Sequence, residues 1–192
     1  MRQFIYFSKR AVTTGNFKDL MSAGRMDIAI HIIIMAFFVS NKRRDDVKVD
    51  LFFYGHPDPP KHLEIYSQHE GTESPISKKD VAGLIKRMLY KYKKGMKFEA
   101  LPACFVEKKG LLEYMDELEE RNVYLLDRKG EDIRTMDIGE NPVFILGDHE
   151  GFPPKEFKRL KKAAIPVSLG NVTYFASQSV TIVNHELDRR GL

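Results

Sequence analysis

The stretch FILGDHEGFPPKEFKRLKKAAIPVSLGNVTYFASQSVTIVNHELDR, residues 144–189, decides how the rest of the chain is read. Two apolar runs, at 142–146 and 165–169, each end in glycine. Gly147-Asp148-His149-Glu150-Gly151 follows the first, and Gly170-Asn171 follows the second. Strand, glycine turn, then helix is how α/β proteins present backbone N–H groups to a ligand. Phe157 and Leu160 mark a basic helix between the two runs. Val180, Val183 and Leu187 line a final helix, predicted to start near Ser177 with Ser177 or Ser179 as its cap.

Upstream, residues 123–126 predict a short strand followed by a polar turn over 127–130. Leu111, Leu112, Met115 and Leu118 predict a helix that stops near Asn122, and 103–106 a strand. Ser77 and Asp80 have capping-box spacing. Val81, Leu84, Ile85, Met88, Leu89 and Tyr92 then recur on one helical face, which Gly95 is expected to end. Residues 71–76 read as loop, 62–67 as a short edge strand, and GHPDPP at 55–60 as a rigid loop. A strong strand spans 47–54, a charged turn 41–46, a polar loop 8–24 and a first strand 2–7. Strands alternating with helices predict an α/β fold, a mostly parallel sheet with helices on both faces.

IAIHIIIMAFFV at 28–39 is well short of the about 20 apolar residues of a membrane span, and it carries His31. It reads as a helix buried nearly all round, with Asp27 in its first turn. At roughly 100–200 residues per domain, 192 residues predict a single domain, 1–192. The basic residues of MRQFIYFSKR flank no long apolar core and no cleavage site, so no signal peptide is expected. One cysteine, Cys104, excludes an internal disulfide and a cysteine zinc cage and suits a reducing cytoplasm. Net charge is +4 and the isoelectric point about 9.0, a mild hint of an anionic partner. Basic groups stand at Lys42-Arg43-Arg44, Lys91-Tyr92-Lys93-Lys94 and within 155–162. Each alone reads as a solvated face; together they make phosphate contact plausible.

The glycine turn at 147–151 lacks the dinucleotide spacing and a P-loop lysine. His149 stands between carboxylates, but no histidine follows at i+3 or i+4, so it reads as a turn residue and no metal is expected. The second turn, 169–174, precedes the last helix, and two such loops after neighbouring strands make a crevice where α/β ligands bind. Arg25 and Asp27, taken alone, read as an ion pair or a helix-end charge.

GRMD at 24–27, SNKRRDDV at 40–47, GHPDPP at 55–60, YLLDRKGEDI at 124–133, ILGDHEGFP at 145–153, SLG at 168–170 and NHELDR at 184–189 occur in order and nearly end to end. On these residues the chain resembles the archaeal tRNA pseudouridine-54 N1-methyltransferases of the SPOUT class. The resemblance implies a sheet whose C-terminal segment forms a deep trefoil knot. It also implies a homodimer with active sites at the interface, for which the apolar helix from Met26 and the last helix are the candidates.

It further implies S-adenosylmethionine as methyl donor, leaving S-adenosylhomocysteine, bound bent among three loops. The cofactor residues implied are Leu125 and Leu126; Gly147 and Asp148; Leu169, Gly170, Asn171, Val172, Thr173 and Tyr174; and Ser179. Asp27 is the implied acceptor of a hydrogen bond and proton from the target base, and Arg25 the implied holder of a base carbonyl or phosphate. The basic residues of 41–46 and 155–162 would hold the tRNA T-arm. Two departures stand out: serine replaces the family's frequent cysteine at Ser179, and NVTYF at 171–175 differs from the commoner pattern. The competing readings are N1-methylation of a pseudouridine in ribosomal RNA and a knotted RNA-binding protein without catalysis.

Overall fold

The computed structural model describes residues 1–40, 42–67, 77–118 and 121–192. The expected loop at 71–76, and Asn41 of the charged turn, lie outside them. The chain runs β1 (Arg2–Ser8), α1 (Met26–Phe37), a hairpin of β2 (Phe38–Val39) and β3 (Lys42–Arg43), β4 (Val47–Phe53) and β5 (Lys61–Tyr66). It continues through α2 (Lys78–Tyr90), β6 (Phe98–Leu101), β7 (Cys104–Glu107), α3 (Leu111–Asp116) and β8 (Val123–Asp132). Then come β9 (Val143–Gly147), α4 (Pro154–Ala163), β10 (Ile165–Ser168) and α5 (Ala176–Arg190). No helix among the described residues is long and apolar enough to cross a membrane.

Eight strands form one sheet in the order β10-β8-β9-β1-β4-β5-β7-β6. From β10 to β4 every pairing is parallel; from β4 to β6 every pairing is antiparallel. Buried at every position, β1 lies at the centre. Alternation along it assigns the faces. Phe4 and Tyr6 pack with α1, α2 and α5, whereas Ile5 and Phe7 pack with α3 and α4. The helix predicted around Met26 is present and nearly enclosed, with Ile28, Ile30, Ile32 and Ile33 all buried. Burial thus outweighs the modest helix propensity of isoleucine.

Several expectations are corrected. β5 is interior, because β7 pairs on its far side and β6 lies beyond. β6 itself, with only Ala100 buried, carries too little apolar alternation to be read from sequence. Lys42 and Arg43 fold back on Phe38 and Val39 as a short hairpin rather than a plain turn. α2 has the full Ser77–Asp80 capping box but ends at Tyr90; Gly95 supplies a positive φ in the turn that follows. α3 stops at Asp116, short of the predicted end. The polar turn at 127–130 is an excursion inside β8: β10 pairs with Tyr124 and Leu125, then with Glu131 and Asp132. Neither Ser177 nor Ser179 caps α5. Phe175 is the cap residue, and its N–H donates to Gln178 Oε1 at 3.0 Å.

The last helix is fastened at its far end. The Arg2 guanidinium donates to Asn184 Oδ1 at 3.0 Å and to Asp188 at 2.8 Å, and Asn184 Nδ2 donates to the Met35 carbonyl at 3.1 Å. That last bond takes up a carbonyl at the C-terminal end of α1, which the helix itself leaves unpaired.

Candidate active site

A cavity of about 370 Å³ opens at the C-terminal ends of β9 and β10, against the β8 excursion. This is where open parallel sheets bind ligands. Leu126, Gly147, Asp148, Leu169 and Gly170 line it, as do Val172, Thr173, Tyr174 and Ser179. Two residues of the expected set do not. Leu125 is fully buried on the opposite face with Val143 and Ile145, because neighbouring strand residues alternate. Asn171 is exposed and does not line the cavity.

Several lining residues were not anticipated. Phe152 and Phe157 stack with centroids 6.1 Å apart and planes at 8°, and form an aromatic wall. A Cβ on Gly147 would lie 3.0 Å from the Phe152 ring, so glycine is what lets that ring close on β9. Arg128 also lines the cavity, and Asp127 beside it is bonded to Lys161 of α4 at 2.6 Å. The polar turn was legible in sequence, but its role as a wall depends on α4 folding against it.

Asp148 holds the turn through three hydrogen bonds. It accepts from the Lys9 N–H at 2.9 Å, Ser8 Oγ at 3.2 Å and the Glu150 N–H at 2.8 Å. Glu150 pairs with Lys9 at 3.5 Å and also with Arg10. These carboxylates therefore bind the glycine turn after β9 to the loop after β1. His149 is 43% exposed and stands 4.0 Å from Glu150, which fits a turn residue.

A second groove, about 360 Å³, lies between the N-terminal ends of α1 and α5 and is lined by Arg25, Asp27, His31, Phe175, Gln178 and Thr181. A third concavity of about 280 Å³ joins it to the first. It shares Ile28, Phe175 and Gln178 with the groove, and Gly147, Asp148, Thr173, Tyr174 and Ala176 with the cavity. The two expected halves of the site are therefore continuous.

Arg25 is held in a left-handed conformation, φ 63°. Gly24 before it has φ 74°, and a Cβ there would stand 1.9 Å from the Arg10 carbonyl oxygen. Only glycine allows the loop after β1 to pack so closely against the turn that aims Arg25. Its guanidinium grips Asp27 with two parallel bonds, Nε to Oδ1 and Nη2 to Oδ2, each 3.0 Å. This fork holds the Asp27 carboxyl below its usual range, and partial burial opposes the effect only in part. His31 is pushed below its ordinary value, by burial first and then by Lys78. Beneath this region the Tyr6 hydroxyl is buried and finds no partner among the described residues. Its pKa is raised, by burial and then by the negative charge of Asp148.

The expected basic groups separate. Arg44 is engaged with Asp188 through two bonds, at 2.6 and 2.5 Å. Lys91 donates to the Ala100 carbonyl at 2.9 Å, and Lys93 lies 4.0 Å over the Phe98 ring, at the sheet edge opposite the cavity. Lys155, Lys158, Arg159 and Lys162 of α4 are exposed beside the cavity. Across β4 and β5, Asp50, His62 and Glu64 cluster with ligand atoms within 4.8 Å of one another. Lys48 Nζ stands 2.6 Å from Glu64 and 3.5 Å from Asp50, so a lysine ammonium supplies the cation there.

A glycine-lined, largely apolar cavity at the ends of parallel strands, opening onto a paired arginine and carboxylate, defines an α/β protein built to hold a nucleotide-like group beside a polar acceptor. The family model described as "Putative SAM-dependent RNA methyltransferase" matches residues 1–192, and the chain belongs to that family. It is similar to the tRNA (pseudouridine(54)-N(1))-methyltransferase of Methanococcoides burtonii, 35% identical, with 98% of this chain and 96% of the relative covered. The protein of the same name from Methanocaldococcus jannaschii is 32% identical, with 99% and 98% covered. Archaeoglobus fulgidus Nep1 bound to S-adenosylhomocysteine has the same fold, with TM-score 0.65 at 16% identity and 100% and 99% coverage.

Proposed function

We propose that this chain uses S-adenosylmethionine to methylate N1 of pseudouridine at position 54 in the T-arm of tRNA, in the cytoplasm and as a homodimer. The observation that carries the reading is the continuity between the glycine-lined cavity and the Arg25–Asp27 groove. Donor and acceptor must meet within a few ångströms, and alignment is the larger part of what a methyltransferase contributes. Relatives covering nearly the whole chain bear this activity in their names.

The cavity suits the cofactor. Leu126 and Leu169 offer apolar surface for adenine, Gly147 brings backbone close to the Phe152 wall, and Gly170 with φ 108° opens the far turn. The bound cofactor supplies a methyl group already activated on a sulfonium. The chain's own residues then have two tasks, to place N1 and to receive its proton. Asp27, held below its usual pKa, is a weak base toward a neutral ring N–H. As the new bond forms, the N1 proton becomes strongly acidic, and a carboxylate of this kind is then sufficient. Before that step Asp27 orients the ring by accepting the N–H, while Arg25, whose Nη1 takes no part in the fork, meets a ring carbonyl or phosphate.

Met35 and Val39, 40% and 36% exposed at the end of α1 and just beyond it, support α1 and α5 as the dimer face. The knot implied by the resemblance belongs to this reading too, with the segment through α5 as the threaded part. The exposed α4 cations next to the cavity support tRNA contact. Nucleoside mass spectrometry after incubation with labelled S-adenosylmethionine tests the reading. 1-Methylpseudouridine should appear at position 54 of tRNA. Product confined to ribosomal RNA, or no product with cofactor bound, would overturn it.

A further inference from the structure

We infer that Phe175 and Gln178 form the subsite that reads the target ring, Phe175 as the plate it stacks on and Gln178 as donor to the ring carbonyl beside N1. This deepens the proposed function and rests on it. Both residues line the groove that holds Arg25 and Asp27, and both line the concavity leading to the cavity. They stand, then, at the junction a reacting base must occupy.

The Gln178 amide has a fixed sense. Its Oε1 accepts the Phe175 N–H at 3.0 Å, which leaves Nε2 turned outward with no partner among the described residues. Phe175 is anchored from the other side: its carbonyl accepts the Ser179 N–H at 2.9 Å and Ser179 Oγ at 3.2 Å. The residue is nonetheless 55% exposed. A fixed backbone carrying a solvent-facing ring is the arrangement that proteins use to stack an unpaired base.

The hydrogen-bonding pattern completes the match. A pseudouracil ring offers two N–H donors and two carbonyl acceptors. Asp27 can only accept, and Gln178 Nε2 can only donate. Placed on one groove, they complement the N1–H and the adjacent carbonyl and fix N1 in line with the methyl donor. A uridine ring has no N–H at the corresponding edge, and a cytosine offers an amine where a carbonyl is required. Either leaves a polar group without a partner, which is how such sites reject close analogues.

Q178E gives a discriminating test. A carboxylate at 178 still accepts the Phe175 N–H, as glutamate does in a capping box, but it has no donor for the base. Wild type, Q178E, Q178L and F175L would be compared on a T-arm stem-loop containing pseudouridine, with cofactor affinity measured by calorimetry. Q178E should bind S-adenosylmethionine as wild type does and keep its melting temperature. Its kcat/KM should fall roughly 10- to 100-fold. F175L should raise KM with cofactor affinity unchanged. A stem-loop with the carbonyl beside N1 replaced by thiocarbonyl should slow wild type and leave Q178L nearly unaffected. If wild type methylates the stem-loop and Q178E keeps kcat/KM within about threefold, Gln178 only caps the helix and the inference is wrong. Loss of cofactor affinity in Q178E equal to its loss of kcat/KM also overturns it. If wild type itself does not act on the stem-loop, the proposed function fails first, and this inference with it.

Discussion

Asp27→Asn separates what the Arg25–Asp27 fork does for the fold from what it does for the reaction. Asparagine keeps one acceptor oxygen for Arg25 but loses the charge and the second bond. Both side chains are partly exposed, 28% for Arg25 and 21% for Asp27, so solvent screens the pair. The expected stability loss is therefore only about 1 kcal/mol. Asp27 lines the groove and not the cavity, so cofactor affinity should be unchanged. Under the proposed role of Asp27, the chemical step loses both the group that orients the ring N–H and the one that takes its proton. A drop of about 100-fold in single-turnover rate follows, the lower end for general-base loss because a strongly acidic proton can also pass to water. The assay is labelled methyl transfer to a T-arm stem-loop at saturating enzyme, beside calorimetric cofactor binding. Methylation within about threefold of wild type, with cofactor bound, would refute the assignment. The pH dependence provides a second check. The Asp27 pKa is depressed in the folded state, so the pair's contribution is present above the unfolded carboxylate value of about 3.9 and lost as pH falls through the folded one. No Asp27 titration should then appear in the rate between neutral pH and the unfolded value.

Three other perturbations test the frame around the site. Gly24→Ala would drive a Cβ to 1.9 Å from the Arg10 carbonyl oxygen at a positive φ, with only backbone to yield. We expect a loss of at least ~2 kcal/mol, seen as a melting temperature lower by about 5 °C or more, together with impaired methylation. Lys158→Glu with Arg159→Glu should weaken tRNA binding and reduce its salt slope by about one to two while cofactor affinity stays constant, which filter binding across a salt series would show. His62 is pushed down by burial, but bonds to Asp50 at 2.7 Å and Glu107 at 3.0 Å carry its pKa above the ordinary value. Its contribution is complete below the unfolded value of about 6.5 and lost as pH rises through the folded one. Urea unfolding of His62→Gln should therefore fall furthest below wild type under mildly acidic conditions, with the two curves converging at high pH.

Much of the fold was legible because its parallel strands are short, almost wholly buried apolar runs that stop at turn residues. β9 has this form, β1 and β4 come close to it with a few buried polar residues among the apolar ones, β10 departs from it with Ile165 exposed, and α2 declares itself by its capping box and single apolar face. What was missed depends on partners distant in sequence. Whether β5 is an edge is decided by β7 and β6, not by anything within KHLEIY. The β8 excursion reads locally as a turn. That the strand resumes pairing at Glu131 is set by Val167 on β10. Residues lining the cavity were legible where glycine turns marked them. Leu126 lines the cavity and the Leu125 side chain does not, because two adjacent leucines in a strand face opposite ways.

Arg25 and Asp27 were legible from the motif before α1, but the residues facing them were not, since nothing near residue 27 points to residue 178. Only the packing of α5 along α1 brings the two together, and NHELDR takes on a definite role there. Asn184 and Asp188 of this motif contact Arg2, and Asn184 also takes the last turn of α1. Met35 itself lines the groove, so these bonds fix the register of α5 along α1 at the groove's far end. From Asn184 to Gln178 is six residues, roughly 9 Å along a helix. A slip of one turn, about 5.4 Å, would carry Gln178 out of reach of a ring held by Asp27. The Arg2–Asn184–Met35 chain of hydrogen bonds opposes that slip. NHELDR therefore sets the spacing of α5 along α1.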